Sequence, residues 1–161
     1  MKYTLIASMS ENRGIGFKGQ LLYRLKADLS VFRNTTFGAT VIMGRKTWES
    51  LPNNYRPLPM RQNIVISSDP YYPCDGARLA CDFHHALTLA TSAKIFVIGG
   101  AQLYGQTLAG ASELILTHVS GKPPADVFFP EFDTSRYEAR ILDCGHQDGV
   151  DYVIRRYVKK P

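Results

Sequence analysis

The chain has 161 residues, 45% of them hydrophobic and 20% charged, which excludes a disordered, collagen-like or coiled-coil protein and fits one domain that buries roughly 70% of its unfolded surface. Lys and Arg number 19 against 14 Asp and Glu, a formal charge of +5 that favours anionic partners without identifying them. The cysteines, Cys74, Cys81 and Cys144, are odd in number and irregular in spacing, so the expected setting is a reducing compartment, the cytoplasm, and not a disulfide framework.

Residues 3–9 read as a short buried strand, ended by the polar breaker Ser10-Glu11-Asn12-Arg13-Gly14. Ser8 and Ser10 interrupt this apolar run, which is too short and too polar for a secretory signal. A Gly-rich loop follows to about Tyr23. Leu25, Leu29 and Phe32 fall at i, i+4 and i+7 and predict a helix over 26–35 with that stripe toward the core. Residues 40–43 read as a strand that passes through Gly44 into a short helix over 45–51, stopped by Pro52. Further on come a strand over 63–67, a weak strand over 78–81 and a helix over 83–91. A strand over 95–98, broken by Gly99-Gly100, leads into a helix over 102–108. The tail has three strand-like runs, 114–119, 137–142 and 152–158, with no helix between them and a short turn over 147–149. The expected fold is α/β: a mixed, mainly parallel central sheet of about eight strands flanked by about four helices, with an antiparallel C-terminal edge.

Gly14-Ile15-Gly16-Phe17-Lys18-Gly19 fits G-x-G-x-x-G but lacks the context of a dinucleotide fingerprint. Polar residues separate it from the first strand, no helix opens after Gly19, and residues 35–45 contain no acid. A glycine-permitted loop over a ligand remains open. Asp28 lies in the first turn of the helix over 26–35, and two readings stand: a carboxylate complementing the helix dipole, or a carboxylate in an apolar pocket offering a paired edge to a planar, amidine-like group. Gly44-Arg45-Lys46-Thr47 opens a helix after a strand, either as a solvated basic cap or as a phosphate site. Gly99-Gly100 is either a tight turn or a close backbone approach to a ligand. Arg61, beside the stiff Pro57-Leu58-Pro59, can aim a fork at a carboxylate. The histidines show no metal-ligand spacing, and Arg155-Arg156 with Lys159-Lys160 read as a solvated edge strand and not a nucleic-acid patch.

In order along the chain, these segments resemble dihydrofolate reductase. The closest stretch is Val41-Ile42-Met43-Gly44-Arg45-Lys46-Thr47-Trp48-Glu49-Ser50, with Arg56-Pro57-Leu58-Pro59 and Asn63-Ile64-Val65-Ile66-Ser67. Leu5-Ile6-Ala7, Ala27-Asp28-Leu29 with Phe32, Val97-Ile98-Gly99-Gly100 with Tyr104, Leu116-Thr117-His118, and Asp126 with Phe129-Pro130 add to it. The resemblance implies an NADPH-dependent enzyme that moves hydride to C6 of 7,8-dihydrofolate while N5 gains a proton, feeding one-carbon and thymidylate metabolism. It implies that Asp28 grips the pterin and promotes protonation through water, with Thr117 bonded beside it. Ile6, Leu29, Phe32, Leu51, Leu58, Ile98 and Tyr104 would line the pterin and aminobenzoyl slot, and Arg61 would meet the glutamate carboxylate. For NADPH it implies Ala7, Ile15, Gly16, Gly99, Gly100 and Leu103 along the nicotinamide and phosphate path. Gly44, Arg45, Lys46 and Thr47 would hold phosphates, with Ser67 and Ser68 near the adenosine. The peptide between Gly99 and Gly100 is expected to be cis, no metal is expected, and the protein is expected to be a monomer.

Two departures stand out. Leu21-Leu22-Tyr23 occupies a place where the family carries Leu-Pro-Trp or Met-Pro-Trp, so the loop loses a proline and Tyr23 offers a phenol where an indole normally holds a water. Gln102 replaces a residue that is basic in some relatives. The expected consequence is weaker binding of diaminopyrimidine antifolates, as in a trimethoprim-insensitive reductase. The alternatives are a pyrimidine reductase of riboflavin synthesis, which shares the fold, and a non-catalytic basic binding module.

Overall fold

The computed structural model describes residues 1–161. Its centre is an eight-stranded sheet made of β1 (Thr4–Met9), β4 (Thr40–Gly44), β5 (Gln62–Ile66), β6 (Arg78–Ala80), β7 (Ile95–Val97), β8 (Glu113–Val119), β10 (Tyr137–Gln147) and β11 (Val150–Lys159). Their order is β10-β11-β8-β1-β7-β4-β5-β6. β1, β4, β5, β6, β7 and β8 pair in parallel, and β11 and β10 then add antiparallel to β8. The central strands are apolar on both faces because helices cover both faces. Leu5, Val41, Ile42, Val97, Leu114 and Leu116 are fully buried, and truncating any one to Ala would cost about 2–5 kcal/mol.

Four helices connect the strands: α1 (Lys26–Thr36), α2 (Arg45–Ser50), α3 (Phe83–Leu89) and α4 (Ala101–Thr107). Leu25, Val31 and Phe32 at α1 and Trp48 of α2 pack on the face carrying Ile6, Val41 and Ile115. Ala86 of α3 and Leu103 and Tyr104 of α4 pack on the opposite face, with Leu5, Val97 and Leu114. Chains leaving β1 and β4 therefore go to one face and the chain leaving β7, which lies between them, goes to the other. In an open α/β sheet such a reversal parts the loops at the carboxyl ends of the strands and leaves a crevice there.

Four expectations change. The Gly-rich segment is not an open loop but contributes β2 (Gly14–Phe17) and β3 (Gln20–Leu21) to a three-stranded sheet with β9 (Val127–Phe128). β2 and β3 form a local hairpin, and the β9 side is tied to it from 108 or more positions away: the Arg13 guanidinium donates to the Phe129 carbonyl at 2.7 Å and the Lys18 amide to Asp126 at 3.0 Å. β10 extends to Gln147, because Asp148 (φ 51°) and Gly149 (φ 80°) form a two-residue turn with the twist that a hairpin needs. β11 is not the edge strand but is paired on both sides, and Arg156 makes a two-pronged ion pair with Glu113 at 2.5 and 3.1 Å. Leu29, placed in a core-facing stripe, is 48% exposed, since it sits on the outer shoulder of α1 while Leu25, Val31 and Phe32 turn inward. No helix is long and apolar enough to cross a membrane, and the three cysteines are free thiols.

Candidate active site

The crevice opens beside β7. The β1–β7 ladder stops at Leu5 opposite Val97, although β1 runs on to Met9. Just past β7 the Gly99–Gly100 peptide is cis, as the resemblance implied, and Gly99 has φ 122°, a conformation that favours glycine. A Cβ on Gly99 would stand 3.2 Å from the Tyr104 hydroxyl and 3.4 Å from Thr47 Oγ1, and one on Gly100 3.4 Å from the same Oγ1. The Gly44 amide donates to the Gly99 carbonyl at 2.8 Å, which draws together the starts of α2 and α4. Both helices begin at a glycine, Gly44 and Gly100, and neither has a side-chain cap, so their first-turn amides are left for other partners. Arg45 and Lys46 are exposed on α2. The Arg45 guanidinium is held by Glu49 at 2.9 and 3.0 Å, and Glu49 also accepts from the Tyr72 hydroxyl at 3.0 Å.

On the other side of β1, Asp28 and Thr117 meet across 89 residues, the Thr117 hydroxyl donating to Asp28 Oδ1 at 2.5 Å. α1 gets no cap from its own segment; the Gln147 side chain of β10 accepts from the Ala27 amide at 3.2 Å instead. Burial pushes the Asp28 carboxyl above the usual carboxylate range, and the bond from Thr117 offsets part of that shift. Asp28 is half-buried, and burial is the largest cause of its shift. Tyr104, fully buried, donates its hydroxyl to the Ile6 carbonyl at 2.7 Å. Burial and the nearby Asp28 charge raise its pKa, so it stays a neutral donor.

The remaining expected residues divide. Ile6 and Leu58 are buried, and Leu51, Phe32 and Ile98 partly buried, in one cluster on the Asp28 side, while Leu29 stands exposed at the rim. Asn63 fixes the Leu58–Arg61 segment, accepting from the Leu58 amide at 2.8 Å and donating to the Leu58 and Arg61 carbonyls at 3.0 and 3.1 Å. Arg61 stacks over Phe32 at 5.9 Å and spends Nε on the Pro59 carbonyl and Nη1 on Thr36. Ser67 is buried at the end of β5, its Oγ accepting from the Asp69 amide at 3.1 Å, and Ser68 and Gln102 are exposed. Ile15 is buried and Gly16 is tied into the small sheet by its carbonyl, which accepts from the Asp126 amide. Two expectations need correction. Ala7 packs on the opposite face, with Leu5 and Met9, because strand side chains alternate. Leu103 likewise turns its side chain into that core, leaving only its backbone toward the start of α4.

Two site residues escaped the sequence reading. Ser8, not Ala7, shares a face with Ile6 and Thr117, and its hydroxyl has no hydrogen-bond partner within the chain, as is true of the buried Tyr23 hydroxyl. The signal for Ser8 was its interruption of a buried apolar strand. Gln147 left no signal, since its role exists only once β10 folds against α1. A separate cavity of about 580 Å³, lined by residues including Arg13, His118, Glu131 and Tyr157, lies on the other face of β8. There His118 and Tyr157 bond to each other at 2.8 Å.

A half-buried carboxylate with a raised pKa on one side of a switch-point crevice and a glycine-lined, uncapped pair of helix starts on the other mark an α/β enzyme. The sequence pattern of the dihydrofolate reductase family matches residues 2–159. The chain is 40% identical to the dihydrofolate reductase of Neisseria gonorrhoeae, over 99% of each chain. It is 37% identical to that of Bacillus subtilis, over 98% of this chain and 94% of the relative. With the type 3 dihydrofolate reductase of Salmonella typhimurium it shares 38%, over 82% and 80%. The chain belongs to the dihydrofolate reductase family, and is with it an oxidoreductase that reduces dihydrofolate using a nicotinamide cofactor. These matches give no support to the pyrimidine reductase alternative.

Proposed function

We propose that the chain, folded as one domain and acting as a monomer in the cytoplasm, reduces 7,8-dihydrofolate to 5,6,7,8-tetrahydrofolate with NADPH as the cofactor. The observation that carries the reading is the Asp28–Thr117 pair, a carboxylate sunk in an apolar face and held by a hydroxyl from the neighbouring element. Its free oxygen and the fixed one present the paired edge that suits the pterin's amino and ring N–H groups. Its upward-shifted pKa keeps a proton within reach of N5, relayed through water. Thr117 orients the carboxylate, and Tyr104 holds the Ile6 carbonyl behind it.

The residues present suit the cofactor. Gly99 and Gly100 leave a cradle that a Cβ would fill, with Thr47 Oγ1 at its edge. The exposed Arg45 and Lys46 supply positive charge beside it, which favours the extra phosphate of NADPH over NADH. NADPH, when bound, supplies the hydride that C6 receives. Ile6, Phe32, Leu51, Leu58 and Ile98 exclude water from the slot, and Arg61, with Nη2 still free, meets the glutamate tail. Tyr23, whose phenol is buried without a partner, takes the place from which a water reaches the pterin. Together with Leu22 it makes diaminopyrimidine antifolates weaker ligands than they are of relatives carrying Pro-Trp there. Loss of NADPH absorbance on adding dihydrofolate, with NADH run in parallel, tests the reading. Turnover with NADPH well above that with NADH is expected, and no turnover overturns it.

A further inference from the structure

Arg45 is exposed at the start of α2, yet its guanidinium is not loose. Nη1 donates to both carboxylate oxygens of Glu49, one turn further along the same helix, at 3.0 and 2.9 Å, while Nε and Nη2 make no bond within the chain. Those two free nitrogens form the side edge of the guanidinium, a planar fork that matches two oxygens of a phosphate. Glu49 is itself held. The Tyr72 hydroxyl donates to Oε2 at 3.0 Å, and the Arg56 guanidinium, stacked over the Trp48 ring at 5.8 Å, donates to the Glu49 backbone carbonyl at 3.3 Å. The bond from Tyr72 is the largest cause keeping the Glu49 carboxyl below its ordinary range, so the carboxylate stays charged at neutral pH.

Tyr72 reaches Glu49 because of the turn that follows β5. The Asp69 amide donates to Ser67 Oγ, the Tyr71 amide to Asp69 Oδ1 and the Tyr72 amide to the Asp69 carbonyl. This turn leaves Tyr71 89% exposed and lays Tyr72 against the cluster that contains Trp48. The loop after β5 therefore fixes a residue of α2 that fixes Arg45. Resting on the reading of Arg45 given above, we propose that Tyr72 and Glu49 are positioning residues for cofactor choice: they hold Arg45 with its Nε–Nη2 edge free for the 2′-phosphate that separates NADPH from NADH. A carboxylate beside a phosphate also repels it. Arg45 and Glu49 are both 44% exposed, so water and salt screen that repulsion, whereas an arginine left free to rotate would lose rotamer freedom on binding. Ordering outweighs repulsion, and no covalent step is involved.

Fluorescence titration of the whole chain with NADPH, NADH and dihydrofolate tests this. Tyr72→Phe keeps the ring and every charge and removes only the hydroxyl. It is expected to weaken NADPH binding about two- to fivefold, the range over which an exposed ion pair acts, and to leave NADH and dihydrofolate as in the parent. In an Arg45→Ala background the same substitution is expected to change nothing, since its effect passes through Arg45. Glu49→Gln, which keeps the size, is expected to lower the preference for NADPH over NADH as well. A preference unchanged in Tyr72→Phe, raised in Glu49→Gln, or reduced by Tyr72→Phe even without Arg45 overturns the inference and leaves the reaction assignment standing. A parent chain with no preference for NADPH, or one whose preference survives Arg45→Ala intact, overturns the reading of Arg45 as well.

Discussion

At the β4–β7 end of the crevice the groups available to a ligand are mostly backbone: the glycines Gly44, Gly99 and Gly100, two uncapped helix starts, and one hydroxyl from Thr47, with the exposed Arg45 and Lys46 beside them. At the β1–β8 end they are side chains, Asp28, Thr117, Ser8 and Tyr23, drawn from the loop after β3, from α1 and from two strands. The difference matches the chemistry proposed for each end. Phosphates accept hydrogen bonds from any well-placed amide, so that end needs room and fixed dipoles more than particular side chains. Proton delivery depends on one carboxyl having the right affinity for a proton, which only a specific environment sets. The backbone end should therefore respond to added bulk, and the side-chain end to lost chemistry at constant size.

The largest effect belongs to Asp28→Asn, which keeps the volume and removes the acid. Turnover at neutral pH should fall by about 10²-fold or more, with partial recovery in acid, where dihydrofolate arrives already protonated; an unchanged rate would remove Asp28 from the mechanism. The same variant reports on stability. The folded-state pKa is raised, so the native protein binds more protons than the unfolded one, and the favourable contribution is complete below the ordinary Asp value. It is lost as pH rises through the raised value. Ligand-free Asp28→Asn should therefore melt higher than the parent at neutral pH, and the gap should close in strong acid.

Gly99→Ala tests the opposite end. With φ 122° and a Cβ forced to 3.2 Å from the Tyr104 hydroxyl, the substitution should cost about 1–3 kcal/mol of stability. NADPH affinity should drop by more than about tenfold, while dihydrofolate binding changes less; an equal loss of both ligands would erase the contrast between the ends. Arg61→Ala should raise KM for dihydrofolate about tenfold, the scale of one charged hydrogen bond, with kcat held. A fall in kcat alone would mean that Arg61 only supports Phe32 and Thr36, which it already touches.

The two ends were unequally legible. Gly99-Gly100 and Gly44-Arg45-Lys46-Thr47 are contiguous, and their strand-to-helix context can be read from local pattern, so both the alternation of elements and the backbone site were visible in the chain. Asp28 could be singled out from the first turn of its helix, but not its environment, because Thr117 lies 89 residues away. The shift of the cleft-facing residue from Ala7 to Ser8 turns on strand parity, which an apolar run on both faces conceals. The small sheet was hidden for a related reason: β2 is held by β9, whose two exposed residues, Val127 and Phe128, give no strand pattern.

Smaller effects probe how the loop and the helix support the side-chain end. Leu22→Pro/Tyr23→Trp should tighten a diaminopyrimidine inhibitor by about fivefold relative to dihydrofolate, one hydrogen bond's worth, and equal inhibitor affinity in the two proteins would sink the idea that this segment sets drug tolerance.

The smallest expected change is at Gln147, which touches the start of α1 and not the carboxylate itself. Its side chain accepts from the Ala27 amide, one residue before Asp28 and at a helix start that has no cap of its own. Replacing a cap of this kind costs about 1 kcal/mol, a few degrees in melting temperature for a chain of this size. Gln147→Ala should show that loss together with a modest fall in turnover and unchanged NADPH affinity, because the start of α1 carries the carboxylate but no part of the glycine cradle. If NADPH affinity fell in step with turnover, the two ends would be mechanically joined through β10 and β11, and the division into a backbone end and a side-chain end would describe composition only.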